Sequence, residues 1–218
     1  MKEWGNIEAS VEYVKCKSIP RDSKLLDIGC NTGSTIFNLH QCGFMNVYGV
    51  DVEKNSINHG RKIYTPISDR LVDYDGVKLP FEDNSFDVVT MFDVIEHITN
   101  IDQFIREEVR RVLTGRGILL FQTPNKYTNI PWEIFLHKSL HKYKEYHVSL
   151  QSYKSLVRLL EGSGFQEILI EKRDICTPYY LLQLKKYLGP LAYPTLLLAN
   201  KLPTNCTTNF WGYCRAPK

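Results

Sequence analysis

A short apolar run that breaks into a glycine-spaced turn and restarts as a helix constrains this chain more than any other feature. Leu25, Leu26 and Ile28 read as a buried strand, Gly29, Asn31 and Gly33 as the turn, and Ser34 to Leu39 as the start of a helix. A strand that runs through small residues into a helix N-terminus is expected to leave free backbone N–H groups aimed at one spot. That spot suits a carboxylate-bearing or anionic ligand approaching the main chain closely. About twenty residues on, a second apolar stretch, Val47-Tyr48-Gly49-Val50, ends in Asp51. An acid at the tip of the second strand is placed to accept both hydrogen bonds of a ribose diol. Together the two halves describe a nucleoside-containing cofactor lying across the carboxyl ends of a parallel sheet.

The rest of the chain alternates in the same way. Strands are expected near 24–28, 46–50, 70–73, 86–91 and 117–123, with helices near 6–18, 33–42, 54–62 and 101–113, the last stopping at Thr114-Gly115. Residues 125–146 are aromatic, histidine-rich and without clear period, as expected of a flexible substrate-side insertion. Ser149 reads as the N-cap of a helix over 150–162, and strands near 165–171 and 209–215 complete the set. This pattern predicts a doubly wound α/β fold.

The details of the turn narrow the cofactor. Asn31 stands where a dinucleotide fingerprint carries its second glycine, and Asp27 precedes Gly29 by two residues. The resulting Asp-x-Gly-x-x-x-Gly turn is similar to motif I of the class I S-adenosylmethionine-dependent methyltransferases. Asp75-Gly76-Val77-Lys78-Leu79-Pro80-Phe81, followed by Glu82 to Val89, resembles that superfamily's adenine-contacting loop and fourth strand. Asp93-Val94-Ile95-Glu96-His97-Ile98 resembles the element that follows it in the ubiquinone-biosynthesis O-methyltransferase and type 11 group. The resemblance covers about residues 22–172. It implies a mostly parallel, seven-stranded, Rossmann-like sheet with an antiparallel last strand and a helical, aromatic cap. It also implies S-adenosyl-L-methionine as cofactor and methyl transfer, to oxygen before nitrogen or carbon, on a small-molecule or lipid-linked acceptor.

Roles follow residue by residue. Gly29, Asn31 and Gly33 are expected to cradle the methionine end, with Asp27 orienting the loop or reaching the ammonium. Asp51 is assigned to the ribose and Val52 to the adenine face. Asp75 is assigned to the adenine amine, with Gly76 allowing close approach, and Met91 and Phe92 to the border of the sulfonium. His97 leads as general base, because histidine titrates near neutral pH, and a structural capping role competes with it. Asp93, Glu96 and His97 at i, i+3 and i+4 would share one helical face; a similar set binds a divalent metal in the ubiquinone enzymes, but no metal is expected here. Among His137, His141 and His147, the last lies best for a second catalytic histidine. Trp132 and Phe135 read as pocket or cap residues.

Composition bounds the remainder. The 218 residues are expected to form one domain, with a cofactor core of about 22–124 and insertions at about 125–148 and 174–208. Residues 126–218 hold 13 Lys and Arg against 6 Asp and Glu, whereas residues 1–125 hold 14 against 18. A basic, aromatic second part reads first as a substrate cap, and no nucleic acid is expected. Six cysteines without a Cys-x-x-Cys pair, and no leader or spanning run, point to a cytoplasmic protein with reduced thiols. Residues 174–208 are too apolar for a solvated loop, and three uses present themselves in order: a lid on the acceptor pocket, a homodimer contact and a peripheral membrane contact. The rival readings are a catalytically silent methyltransferase-like binding module and an NAD-dependent dehydrogenase. The dehydrogenase is disfavoured by Asn31 and by the lack of a well-placed Tyr-x-x-x-Lys.

Overall fold

The computed structural model describes residues 6–173 and 178–218; Met1 to Gly5 and residues 174–177, Cys176 among them, lie outside the described residues, as do the side chains of Phe135, Leu136, Tyr146, Pro178, Tyr179, Tyr180 and Gln183. Four buried residues make β1 (Leu25–Ile28), and further apolar runs make β2 (Val47–Asp51), β3 (Leu71–Asp73), β4 (Phe86–Phe92), β5 (Leu113–Pro124), β6 (Gln166–Glu171) and β7 (Asn209–Arg215). They form one seven-stranded sheet in the order β3-β2-β1-β4-β5-β7-β6. The first five strands pair in parallel, and β7 runs antiparallel between β5 and β6.

Side chains alternate across the sheet, which separates the core into two layers. Leu25, Val47, Val88 and Leu120 face α1 (Ile7–Lys15), α2 (Ser34–Gln41) and α3 (Lys54–Ile63). Leu26, Val50, Val89, Met91 and Phe121 face the opposite helical layer. That layer holds α4 (Ile101–Phe104), a π-helical turn (Ile105–Val109), α5 (Arg110–Val112) and α8 (Tyr153–Gly162). The expected doubly wound, mostly parallel fold is the one observed.

Several local expectations are corrected. The helix expected over 101–113 contains the π turn and ends at Val112, and Leu113 already has extended backbone (φ −75°, ψ 135°). Leu113 pairs with Phe86, so β5 begins there and the Thr114-Gly115 stop lies inside a strand with a bulge. Ser149 is not the cap of α8: Ser152 is, in a capping box with Ser155, and the Ser149 N–H donates instead to the Glu96 carbonyl (2.9 Å). Residues 125–146 are not irregular, for they form α6 (Lys126–His137) and α7 (Tyr143–Tyr146). Pro131 within α6 masks its period, but buried Asn125 caps it by accepting from the Tyr127 N–H (3.1 Å). The Asn125 amide also donates to the carbonyls of Asn205 (3.0 Å) and Thr207 (2.8 Å), fastening α6 to the approach of β7. Residues 178–208 hold α9 (Pro178–Leu188) and α10 (Ala192–Ala199).

Two glycines give opposite expectations. Gly212 on β7 faces Phe121 on β5, and a Cβ there would collide with the Phe121 ring. Gly162 closes α8 with open space around it. Gly212→Ala should destabilise the fold by about 3 kcal/mol, whereas Gly162→Ala should stabilise it by about 0.5–1 kcal/mol. Urea unfolding of both variants checks the pair.

Candidate active site

The loop after β1 is closed by backbone shape. Gly29 (φ +74°), Asn31 (φ +51°) and Gly33 (φ +86°) all take the left-handed region, and a Cβ on Gly29 would collide with Val94. The free N–H groups expected here are largely engaged. Gly29 and Cys30 both donate to the Val50 carbonyl (2.8 and 3.0 Å), Gly33 donates to Cys30 (2.8 Å), and Asn31 donates to Asp51 Oδ2 (2.7 Å). A carboxylate is left with the first turn of α2, which has no side-chain cap.

Asp51, at the end of β2, also accepts from the Glu53 N–H through Oδ1 (2.8 Å). Two of a carboxylate's roughly four lone-pair sites are thereby used, and the others remain for a diol. Around it opens a cavity of about 910 Å³, lined by Gly29, Asn31, Asp51, Val52, Gly76 and Phe92 and extending past Asp93 to His97. A smaller adjoining cavity of about 40 Å³ is lined by Asp27, Gly29, Ser34 and Thr35. Asp27 is buried and accepts from Thr90 Oγ1 (2.6 Å), and burial pushes its carboxyl up to about 7. A buried acid beside an uncapped helix start, glycines that admit close approach and a diol acceptor form a donor and acceptor set that fits an amino-acid–nucleoside cofactor.

Some site residues lie elsewhere than expected. Asp75 is exposed and outside the cavity lining, since its Oδ1 accepts from the N–H groups of Val77 (2.8 Å) and Lys78 (3.0 Å) and shapes the turn that presents Gly76. Met91 is fully buried in the core, and strand alternation leaves only its neighbour Phe92 at the cavity. Gly33 is not in the lining either; it holds the turn beneath, against Leu71. Sequence reasoning missed Tyr74, Lys78, Val94, Gln103, Glu107 and Glu108, all of which line the larger cavity. The i, i+4 spacing of Gln103 and Glu107 was the available signal, and the π turn brings Glu108 in as well.

At its other end the cavity reaches His97, which stands beside Glu96 and His147. The common helical face expected for Asp93, Glu96 and His97 does not form. Asp93 takes a left-handed backbone (φ +55°) and only a three-residue 3₁₀ turn, Ile95–His97, follows. The groups that converge are Glu96, His97 and His147, with possible ligand atoms within 4.8 Å of one another. Glu96 is buried, accepts from Thr123 Oγ1 (2.9 Å) and is pushed up to about 8, by burial first and the nearby Asp93 second. A divalent ion there would have to displace that proton. His97 is about half exposed (49%), with Nε2 4.0 Å from Glu96 Oε1. Its ring lies 5.2 Å from that of His147. His147, outside the cavity lining, is held below the usual imidazole value by burial and by His97, and its Nδ1 lies 3.2 Å from Asn129 Oδ1. His137 instead meets Glu133 (3.1 Å), and Trp132 packs edge-on against Tyr187 (6.2 Å).

Comparison with known proteins agrees with this geometry. Residues 26–121 match a family described as a methyltransferase domain. A probable S-adenosylmethionine-dependent methyltransferase of Mycobacterium tuberculosis is 36% identical over 107 residues, 49% of this chain and 38% of that protein. The ubiquinone biosynthesis O-methyltransferase of Pelagibacter ubique is 31% identical over 110 residues, 49% of this chain and 44% of that one. The chain thus spans under half the length of these curated relatives. Phosphoethanolamine N-methyltransferase 2 of Haemonchus contortus, solved with S-adenosyl-L-methionine, superposes with a TM-score of 0.65 at 18% identity, covering 97% of this chain and 52% of that one. Residues 26–121 are thus similar to a methyltransferase domain, and the sheet that carries them has the seven-stranded, mostly parallel, Rossmann-like fold of these structural neighbours.

Proposed function

We propose that the protein transfers a methyl group from S-adenosyl-L-methionine to an oxygen of a small-molecule or lipid-linked acceptor. The observation that carries this reading is one cavity lined both by Gly29, Asn31 and Asp51 and by His97. The cofactor supplies, when bound, a methyl group already activated on a sulfonium. Asp51 accepts from the ribose hydroxyls, Val52, Val77 and Gly76 flank the adenine, and Asp27 faces the ammonium. Phe92 and Asp93 border the reacting centre, where in-line alignment does most of the work. His97 takes the acceptor's proton, because it lines the cavity whereas His147 lies outside the lining, and the protonated carboxyl of Glu96 cannot accept one at neutral pH. An acceptor nitrogen is the second reading, supported by the N-methyltransferase among the structural neighbours. Among the described residues five cysteines are free, which supports a reducing, cytoplasmic setting.

Calorimetry should show binding of S-adenosyl-L-methionine or its demethylated product and none of NAD. Asp51→Ala should weaken that binding by about 2 kcal/mol, the worth of a charge-assisted hydrogen bond. Binding of NAD alone would overturn the reading, and cofactor binding without turnover across an acceptor screen would favour the silent module.

His97→Ala should lower kcat ~10²–10⁴-fold with cofactor affinity nearly unchanged. If turnover survives in His97→Ala but collapses in His147→Ala, the base has been misassigned. The product of a labelled-methyl assay separates oxygen from nitrogen.

Asp27 makes the cofactor end pH-sensitive. Its folded value, about 7, lies above the unfolded one, so its protonation stabilises the fold. That contribution is complete below about pH 4 and is lost as pH rises through about 7; Glu96 acts with the same sign up to about 8. The melting temperature of the cofactor-free protein should therefore fall between about pH 5 and pH 8. Asp27→Asn should remove part of the slope. Cofactor affinity should run the other way, strengthening as Asp27 ionises, because the carboxylate is the form that pairs with an ammonium. A native pH–affinity profile as flat as that of Asp27→Asn would remove Asp27 from the site.

A further inference from the structure

The chain leaves the carboxyl end of β6 at Glu171 and re-enters the sheet at Asn209. Because β7 is antiparallel to both β5 and β6, those two strands point the same way as the parallel set. The segment between β6 and β7 therefore emerges at the edge where the cofactor loops after β1, β2 and β4 lie. There α9 and α10, joined by a 3₁₀ turn at Gly189–Leu191, pack on one another as a hairpin.

This hairpin shows its apolar residues to solvent. Leu182, Leu191 and Leu198 are 63%, 65% and 69% exposed, Leu197 and Tyr193 are also exposed, and Ala192 and Leu196 are buried. In α10 the buried Leu196 is followed at once by two exposed leucines, so the helix is apolar on its outer side as well. Such a surface requires a partner.

The described residues decide which one. The larger cavity is lined only by residues between Gly29 and Glu108, so the hairpin as placed does not roof it. A second copy is disfavoured by charge. Residues 178–208 carry Lys185, Lys186 and Lys201 and no Asp or Glu, and a two-fold contact would set those lysines against their own copies. An anionic lipid surface reverses that sign. Leucines enter the acyl boundary, lysines extend to the headgroups, and tyrosine and tryptophan rings sit at the interface. Trp132 of α6 is 40% exposed and touches Tyr187 of α9, which widens the aromatic rim. No described helix is long and apolar enough to span a bilayer, and Pro190 and Pro194 interrupt this run. We propose that the α9–α10 hairpin is a docking surface for an anionic bilayer, with the edge of the sheet that bears the cofactor loops turned toward the lipid.

The docking itself does not depend on the methyl-transfer reading, and it is measured without cofactor or acceptor. The full chain is sedimented with vesicles of phosphatidylcholine and phosphatidylglycerol in equal parts, and with phosphatidylcholine alone. The expected result is partition onto the mixed vesicles, falling ~10-fold or more without the anionic lipid or in high salt. Leu191→Asp with Leu198→Asp should abolish partition, while circular dichroism and melting temperature stay native. Lys185→Glu with Lys201→Glu, at exposed positions, should do the same by charge and covers a folding failure of the first pair. Equal partition of native and charge-reversed chains, or none by the native chain, would overturn the proposal. So would a native dimer in sedimentation that the leucine pair converts to monomer with no vesicle binding in either form.

Discussion

The carboxylate of Asp51 holds together the loops that follow β1 and β2. One oxygen takes the N–H of Asn31 from the loop after β1, and the other takes the N–H of Glu53 where α3 begins. Both bonds are short and charge-assisted, so each loop is fixed against the other rather than only against its own strand. The loops frame the cavity, and the left-handed residues at 29, 31 and 33 are tolerable because this bond and the neighbouring bonds to Val50 over-determine the turn. The carboxylate that faces the cavity is thus also the clamp that shapes it.

The two buried acids do different work. Asp27 lies in the small cavity, bonded to Thr90 and raised by burial, so a cationic group arriving there meets a carboxyl ready to release a proton. Glu96 lies beside His97, bonded to Thr123 and held in its uncharged form at neutral pH by burial and by the nearby Asp93.

The sheet was legible because strands and turns are local signals. Leu25–Ile28, the glycine spacing and Asp51 could be read from neighbours alone. The errors fall where a residue's role is set by partners distant in sequence or by one dihedral. Asp75 carries the right chemistry for an adenine, but it is exposed and outside the cavity lining, with Oδ1 given to the N–H groups of Val77 and Lys78. Met91 and Phe92 were both assigned to the site although strand alternation allows only one of them to face it. Asp93 in a left-handed conformation breaks the helical face that its spacing with Glu96 and His97 suggested. Ser149 reads as the cap of the helix from its place before the apolar run, but the capping box that Ser155 completes puts the cap of α8 at Ser152. The π turn at 105–109 leaves no mark in the hydrophobic period, so the cavity residues it presents could not be found that way.

Asn125 has a mechanical meaning beyond capping. Its amide grips the carbonyls of Asn205 and Thr207 while its carbonyl oxygen starts α6, and its own N–H reaches Thr208 (2.8 Å). One buried side chain therefore pins the root of the first insertion to the exit of the second. Trp132 of α6 packed edge-on against Tyr187 of α9 is a second fastening farther out. The two insertions are therefore joined at two separate places, one at their roots and one between their helices.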